Sequence, residues 1–288
     1  MSKAKKVSAE SVSAVVSDKA IIIEEFKTGV IRVPLLGVTP FICNRQSEKT
    51  KRELLFPAEK KTRAHQALTL KHDPLREYQA SPYLSDDPDS LTHILMKGGA
   101  FKSAACDSAV DSETLKAAQV RRLVSVPDFY VEIFGIPQMW MTDVRQAGIS
   151  RTPDIRTRAI IPQWAAFVTF QFVLPLIDER KLCHLIANGG MTRGVGDGRT
   201  EKGALDFGQF TIVPEDDPRL QDIIATGGKA AQEAAMENPE PYDRETRELY
   251  TWFEGEFKQR SERSNISKTK DKNGSGAGFQ EVEELLSV

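Results

Sequence analysis

The stretch at residues 165–174, AAFVTFQFVL, alternates between two sets of side chains, one of which includes Thr169 and Gln171. A period of two is typical of a strand with one buried face. Residues 178–187, DERKLCHLIA, follow with acids at the start of a helical pattern, where the helix dipole favours them. Asn188-Gly189-Gly190 is expected to end that helix. This strand and helix form the unit from which the fold is built outwards.

Segments of the same two kinds flank this unit. Upstream, two β-rich segments lie on either side of a turn signal at residues 27–29, KTG. When the long stretches without periodicity are set aside as insertions, the remaining segments are predicted in this order: strand 20–36, helix 100–123, strand 129–136, strand 154–174, helix 178–188 and strand 208–213. The order βαββαβ is that of the ferredoxin-like core, which the RRM domain shares. The sequence therefore predicts an α+β fold with a ferredoxin-like core and long insertions.

The rest of the chain is divided by composition. The predicted organisation is a flexible N-terminus at 1–17, a core at 18–213 with insertions at 45–97 and 137–153, an acidic helical extension at 214–260, and a disordered tail at 261–288. Within the tail, the acidic and apolar segment 279–286 could dock on a partner. The chain start lacks the apolar stretch of a signal peptide, and the longest apolar segment is shorter than the ~20 residues a membrane helix needs. We therefore expect a soluble, cytoplasmic protein with no membrane partner.

Charge is unevenly distributed along the chain. The 288 residues include 39 basic and 41 acidic ones, a net charge of −2, which by itself disfavours a nucleic-acid partner. Residues 214–288 hold 17 acidic and 10 basic residues (−7), which leaves 24 acidic and 29 basic (+5) in residues 1–213. The three cysteines are far apart and odd in number, so we expect neither a disulfide scaffold nor a zinc site. The basic body is compatible with a phosphate groove, while the acidic part could serve solubility alone.

The most informative motif is the glycine-rich stretch 189–210, GGMTRGVGDGRTEKGALDFGQF. Glycine lets backbone approach a ligand and frees N–H groups to form an anion nest, and guanidinium groups favour phosphate. The stretch matches neither a Walker loop nor a Rossmann fingerprint. We predict phosphate-backbone binding here, with a surface loop carrying incidental charges as the alternative. The candidate residues are Arg193, Gly194, Gly196, Gly198, Arg199 and Lys202.

A second candidate anion site lies at the start of the first predicted helix. Gly98 and Gly99 precede that helix and would expose its N-terminal N–H groups, and Lys97 and Lys102 add positive charge. An amphipathic helix with a glycine start and solvated lysines explains the same residues equally well.

Together these pieces resemble the RAMP superfamily, the crRNA-binding backbone subunits of CRISPR effector complexes. KGGAFKSAA at 97–105 is similar to the K-G-x-hydrophobic-R-S-A segment that opens the family's first helix. The stretch 194–210 is similar to the family's G-rich loop between the last helix and the last strand, and Leu36-Gly37-Val38-Thr39-Pro40 to an element after its first strands. One departure is GALDFG, where the family usually has a tighter G-x-G.

This resemblance implies a role in antiviral defence as an RNA-binding subunit. Copies of the chain would stack along a guide RNA beside other subunits of the complex, and a hairpin "thumb" from each copy would displace a base. The best thumb candidate is 139–154, whose aromatic and basic residues suit stacking and phosphate contact, although Trp140 and Met141 could equally be core. The candidate residues in and after the thumb are Trp140, Arg145, Arg151, Arg156 and Arg158.

Catalytic signatures are missing from the sequence, so we expect a non-enzyme without cofactor or metal. Two other functions stay open beside an interaction scaffold. One is a phage or plasmid protein that binds single-stranded DNA and recruits partners through its acidic tail. The other is a metal-dependent nuclease using the insertion aspartates Asp73, Asp86, Asp87 and Asp89.

Overall fold

The structure is a computed structural model that describes residues 25–46, 48–56, 72–111, 116–145, 153–200 and 205–272. For residues 48–50, 53, 111, 145 and 261–272 it describes the backbone alone. The expectations for residues 1–17 and 279–286, and for Arg151 and Lys202, therefore lie outside the described residues.

The described chain contains both strands and helices; five strands follow one another in its middle, and three helices end it. The strands are β1 (Lys27–Gly37), β2 (Phe41–Ile42), β3 (Tyr83–Leu84), β4 (Ile94–Lys97), β5 (Val124–Ser125), β6 (Tyr130–Phe134), β7 (Gln138–Arg145), β8 (Pro153–Ile161), β9 (Ala165–Leu174) and β10 (Phe210–Ile212). The helices are α1 (Glu48–Leu55), α2 (Pro74–Ala80), α3 (Gly98–Asp107), α4 (Ala117–Leu123), α5 (Glu179–Thr192), α6 (Pro218–Thr226), α7 (Lys229–Glu237) and α8 (Arg244–Lys272). A 3-10 turn, Ser108–Asp111, follows α3.

The larger sheet is antiparallel, in the order β10–β1–β9–β6–β4–β3, with β5 also pairing with β9. Its centre is the β1–β9 pair, which runs in register from Lys27 opposite Leu174 to Leu36 opposite Ala165. The coarse prediction of an α+β fold is thus confirmed by an antiparallel sheet combined with helices.

The predicted strand 154–174 is two strands in different sheets. β8 joins β7 and β2 in a three-stranded sheet, whereas β9 lies in the larger one. The corner contains Pro162, which cannot donate to a strand ladder. Trp164 holds the corner in place, since its indole N–H donates to the Thr39 carbonyl (2.9 Å) and its own carbonyl accepts the Gly37 N–H (2.8 Å).

Helices cover both faces of the larger sheet. α3 and α5 pack on one face, where Leu182 and Ile186 meet a core that includes Val33 and Phe170. Gly189 lies inside α5 rather than ending it. Only glycine fits there, because a Cβ would come within 2.3 Å of the Ala104 carbonyl oxygen of α3. The predicted end of the helix at 188–190 is therefore wrong: glycine serves close helix packing. α6 covers one end of the other face through Leu220 and Ile223.

Three further expectations differ from the structure. The turn expected at 27–29 is strand, since these residues belong to β1 and Gly29 lies opposite Phe172. Insertion 45–97 contributes β4 to the larger sheet, where Met96 is buried opposite Val131. The predicted helix 100–123 contains α3 and α4 as separate helices, with residues 112–115 outside the described chain.

The C-terminal helix also extends past its predicted end. α8 reaches Lys272, although disorder was expected from residue 261. Extending a helix that already exists adds one backbone hydrogen bond per residue, so polar sequence can continue it. Within the described residues, no helix is both long and apolar enough to cross a membrane.

Candidate nucleic-acid interface

The predicted thumb region forms the β7–β8 hairpin. Its register places Trp140 opposite Arg158 and Thr142 opposite Arg156. The residues that alternate with these, Met139, Met141, Thr157 and Ala159, are buried. Because successive strand residues point to opposite faces, the two pairs share the face of the hairpin that is turned away from this buried side. We call Trp140, Thr142, Arg156 and Arg158 the outer hairpin face. It unites three of the predicted residues; the Arg145 side chain and Arg151 lie outside the described part.

The glycine-rich loop lies against the outer hairpin face. The Trp140 and Phe207 rings meet edge to face with centroids 5.6 Å apart. The Arg158 guanidinium forms an ion pair with the Asp197 carboxylate, and the Asp197 N–H donates to the Ile42 carbonyl of β2 (3.1 Å). Two motifs separated in sequence therefore form one surface.

The two arginines of this face differ in what they can offer a ligand. Arg156 is exposed, whereas the Arg158 side chain is 20% exposed and paired with Asp197. Burial, together with the neighbouring Arg156 charge, lowers the pKa of Arg158 to about 10, while Cys43 opposes the shift. Arg158 still carries a charge at neutral pH. Arg156 presents the accessible cation, and Arg158 fastens the loop to the hairpin.

The loop amides mostly serve the loop itself. The N–H groups of Gly194, Val195, Asp197, Phe207 and Gly208 donate to backbone carbonyls at distances of 2.8–3.1 Å. Gly194, Gly196 and Gly198 have positive φ angles, so these glycines shape the backbone. An anion nest built from those five amides is therefore not available. Recognition of phosphate would fall on side chains, of which Arg193 and Arg199 are partly exposed.

The second candidate anion site, Lys97, Gly98, Gly99 and Lys102, lies where β4 ends and α3 begins, near the β3 edge of the larger sheet. The Gly98 N–H donates to the Phe129 carbonyl (2.9 Å), so this helix-start amide is already used. The Gly99 Cα faces open space, and Lys102 is half-buried on α3. The Lys97 ammonium lies 5.1 Å from the centroid of the Tyr83 ring.

Sequence reasoning missed an aromatic cluster beside Lys97. The Tyr130 ring centroid lies 5.7 Å from that of Tyr83 and 4.8 Å from that of Phe129, whose side chain is 69% exposed. A signal was present, because neighbouring strand residues point to opposite faces, and the adjacent pair Phe129-Tyr130 cannot bury both rings in one core. Exposed aromatic rings next to a cation suit stacking with nucleobases.

The sheet face that α6 covers at one end carries another aromatic and basic pair, and its ring, Phe167, packs against the cluster that holds Leu220 and Ile223 of α6. The Arg32 guanidinium carbon lies 4.2 Å from the centroid of the Phe167 ring, a cation–π contact between β1 and β9. Thr169 faces Arg32 across the two strands, and Gln171 is also partly exposed. Polar and aromatic groups thus extend along the open sheet face.

The insertion aspartates have structural partners in part. Asp73 caps α2 by accepting the Arg76 N–H (3.2 Å), and the Asp87 carboxylate accepts the Asp89 N–H (2.9 Å). His72 bridges two carboxylates, with Nδ1 2.7 Å from Glu77 and Nε2 2.8 Å from Asp154. Among the residues described, no group of three or more His, Cys, Asp or Glu side chains is arranged to hold a metal ion.

No protein-family model matches the chain, and the search of curated proteins finds no match either.

Proposed function

We propose that this chain binds single-stranded nucleic acid, RNA in preference to DNA, through the outer hairpin face and the glycine-rich loop. The observation that carries the proposal is their joining through Trp140–Phe207 and Arg158–Asp197, which leaves Arg156 exposed beside the loop. A cation next to aromatic rings is the combination that binds a phosphate backbone and stacks bases without requiring a duplex.

We further propose that the central elements form a ferredoxin-like core. The order β10–β1–β9–β6, with α3 between β1 and β6 and α5 between β9 and β10 in the chain, supports this assignment. In such a core one sheet face carries the two helices and the other is open to a ligand. Arg32 with Phe167, and Lys97 with Tyr83, would then extend the nucleic-acid path from the hairpin across that open face.

The role we propose is a non-catalytic one without a cofactor. Copies of the chain would repeat along the strand in a ribonucleoprotein of the CRISPR effector kind. The sequence resemblance supports this assembly, and the β7–β8 hairpin is the element that would serve as the thumb. A phage or plasmid protein binding single-stranded DNA is the second candidate, because the same aromatic and basic surface would suit either strand.

The salt dependence of binding tests the proposed surface. Each lost phosphate contact should reduce the slope of log K against log salt by about 0.7 for a single strand. Arg156→Ala should therefore weaken binding to a fluorescent oligonucleotide in anisotropy titrations and flatten the slope by about that amount. Arg244→Ala is the matched control, since Arg244 is an exposed arginine on α8 that pairs with Glu248. Equal slopes for Arg156→Ala and wild type would contradict the proposed surface.

The same titrations with RNA and DNA of one sequence separate the two candidates. A protein that prefers RNA makes hydrogen bonds to the 2′-OH groups, which DNA lacks, so RNA should bind more tightly than DNA at matched salt. If DNA binds as well as RNA or better, the guide-RNA role fails and the single-stranded DNA role takes its place.

A further inference from the structure

A groove lies between α8 and the β7–β8 hairpin, away from the surface proposed for nucleic acid. Its volume is about 330 Å³, and its walls are mainly apolar. Met141, Ile155 and Thr157 of the hairpin form one side. The opposite side is formed by α8 residues, namely Leu249, Trp252, Phe253, Glu256, Phe257 and Arg260.

The first turns of α8 fix this groove to the core. The Met141 N–H donates to the buried Thr246 hydroxyl (3.1 Å), and the Thr246 N–H donates to the capping Asp243 carboxylate (2.7 Å). Farther along the helix the apolar surface continues without cover, since Trp252 is 66% and Phe257 48% exposed. Large exposed aromatic side chains next to a groove are typical of a binding surface.

The floor of the groove holds a polar group that needs a partner. The Thr157 side chain is buried, and its hydroxyl finds no hydrogen-bond partner among the described residues. A buried hydroxyl without a partner costs free energy, so such groups usually meet a water, ligand or partner. An occupant that reaches this floor would satisfy the hydroxyl, which the apolar walls of the groove do not.

We propose that the occupant is the chain's own segment 279–286, FQEVEELL. Phe279, Val282, Leu285 and Leu286 follow the spacing of the apolar face of a helix, and three glutamates lie between them. Eight residues are too few for a stable isolated helix in water, so the segment would become helical only on a surface that buries its apolar side. The preceding residues 273–278, NGSGAG, have the composition of a linker.

The lengths allow the segment to reach the groove within one chain. The distance from Lys272 back to Arg260 along α8 is about 18 Å at 1.5 Å per residue. The seven Cα–Cα steps from Lys272 to Phe279 can cover up to about 24 Å. A helical segment running antiparallel to α8 from that point would cover about 10 Å more, which brings Leu286 level with Phe253.

Disulfide trapping in the full chain tests the proposal. In a Cys183→Ser background, Ile155→Cys and Leu285→Cys place one thiol on the groove wall and one on the segment; Cys43 and Cys106 are buried. Mild oxidation should give an intramolecular disulfide at a rate independent of protein concentration, roughly tenfold faster than a non-docking pair. The control pair is Val110→Cys with Leu285→Cys, because Val110 is 63% exposed beside α3.

Equal rates for the two pairs would overturn the proposal, and so would a product that is only intermolecular, which would assign the groove to a second copy. A second measurement covers the case in which the cysteine variants do not fold. Leu285→Glu with Leu286→Glu should raise acrylamide quenching of tryptophan fluorescence, since Trp252 is far more exposed than Trp164. Ser287→Glu adds charge alone and should leave quenching unchanged, and unchanged quenching in the double variant would also overturn the proposal.

Discussion

At the scale of single residues, Gly208 determines how the glycine-rich loop folds back on the sheet. Its φ of +72° lies in the left-handed region, and an added Cβ would come within 1.7 Å of the Val195 carbonyl oxygen. The Gly208 N–H and carbonyl are both used, donating to Pro40 and accepting from Val195. Glycine is required here by conformation and by space together.

Gly208→Ala should therefore lower the free energy of unfolding by at least about 2 kcal/mol, from backbone strain and the clash with Val195. Gly99→Ala is the matched change, because an added Cβ meets nothing within 4 Å in helix α3 and alanine is the better helix former. It should raise stability by about 0.5–1 kcal/mol. Urea denaturation of both variants measures the contrast, and similar losses in the two would show that the packing around Gly208 is misassigned.

At the scale of elements, Gln232 connects helix α7 to the larger sheet. Its side-chain carbonyl accepts the N–H groups of His93 and Ile94, and its amide nitrogen shares two hydrogens among the carbonyls of Ile133, Gly135 and Gly227, all at 2.7–3.0 Å. The side chain is fully buried. One amide group thus satisfies backbone groups from two strands, a turn and the adjoining helix end.

Gln232→Leu should cost at least about 3 kcal/mol of unfolding free energy, since it leaves several buried backbone groups without partners. Gln259→Leu, at an exposed position of α8, should be nearly neutral.

Gln232→Glu separates the donor from the acceptor role. Its carboxylate would face three carbonyls, so the loss should be largest at neutral pH and shrink as acid protonates the group and restores a donor. A loss in Gln232→Glu that does not change with pH would contradict the donor role of the Gln232 amide toward these carbonyls.

Elements with strong local signals could be predicted, and those decided by distant contacts could not. β9 and α5 follow from alternation and a capping acid; Asp178 accepts the Lys181 N–H, and this hydrogen bond chiefly lowers the pKa of Asp178. The end of α5 could not be predicted, because Gly189 is a helix breaker in isolation and a packing point only against Ala104. β4 is four residues long inside a polar insertion and becomes a strand through its neighbour β6.

The candidate site divides in the same way. Trp140, Arg156 and Arg158 were selected from local composition, and their approach to the glycine-rich loop agrees with the hypothesis of one surface. Their individual roles depend on partners distant in sequence: Asp197 occupies Arg158, and carbonyls of Pro40 and Ile42 occupy loop amides expected to bind an anion. Sequence indicates which chemistry is present, and tertiary contacts decide which groups remain accessible.

At the scale of the whole molecule, the proposed role requires copies of the chain at a regular spacing. Each copy would cover a fixed length of strand, so limited nuclease digestion of the saturated complex should give fragments separated by a constant step. Arg156→Ala should lower occupancy and weaken this ladder, whereas the control Arg244→Ala should preserve it. A smear without a period would contradict a repeating filament while leaving simple strand binding intact.

The β1–β9 pair also sets a condition on how the chain is made. β1 ends at residue 37 and β9 begins at residue 165, which is 128 residues later (165 − 37), and β10 follows after α5. At a synthesis rate of ~5–20 residues per second, the interval before both neighbours of β1 have left the ribosome is on the order of ten seconds. Throughout that interval the apolar segment VPLLG lacks its strand neighbours, so the nascent chain is exposed to aggregation and to capture by chaperones before its central strand can pair.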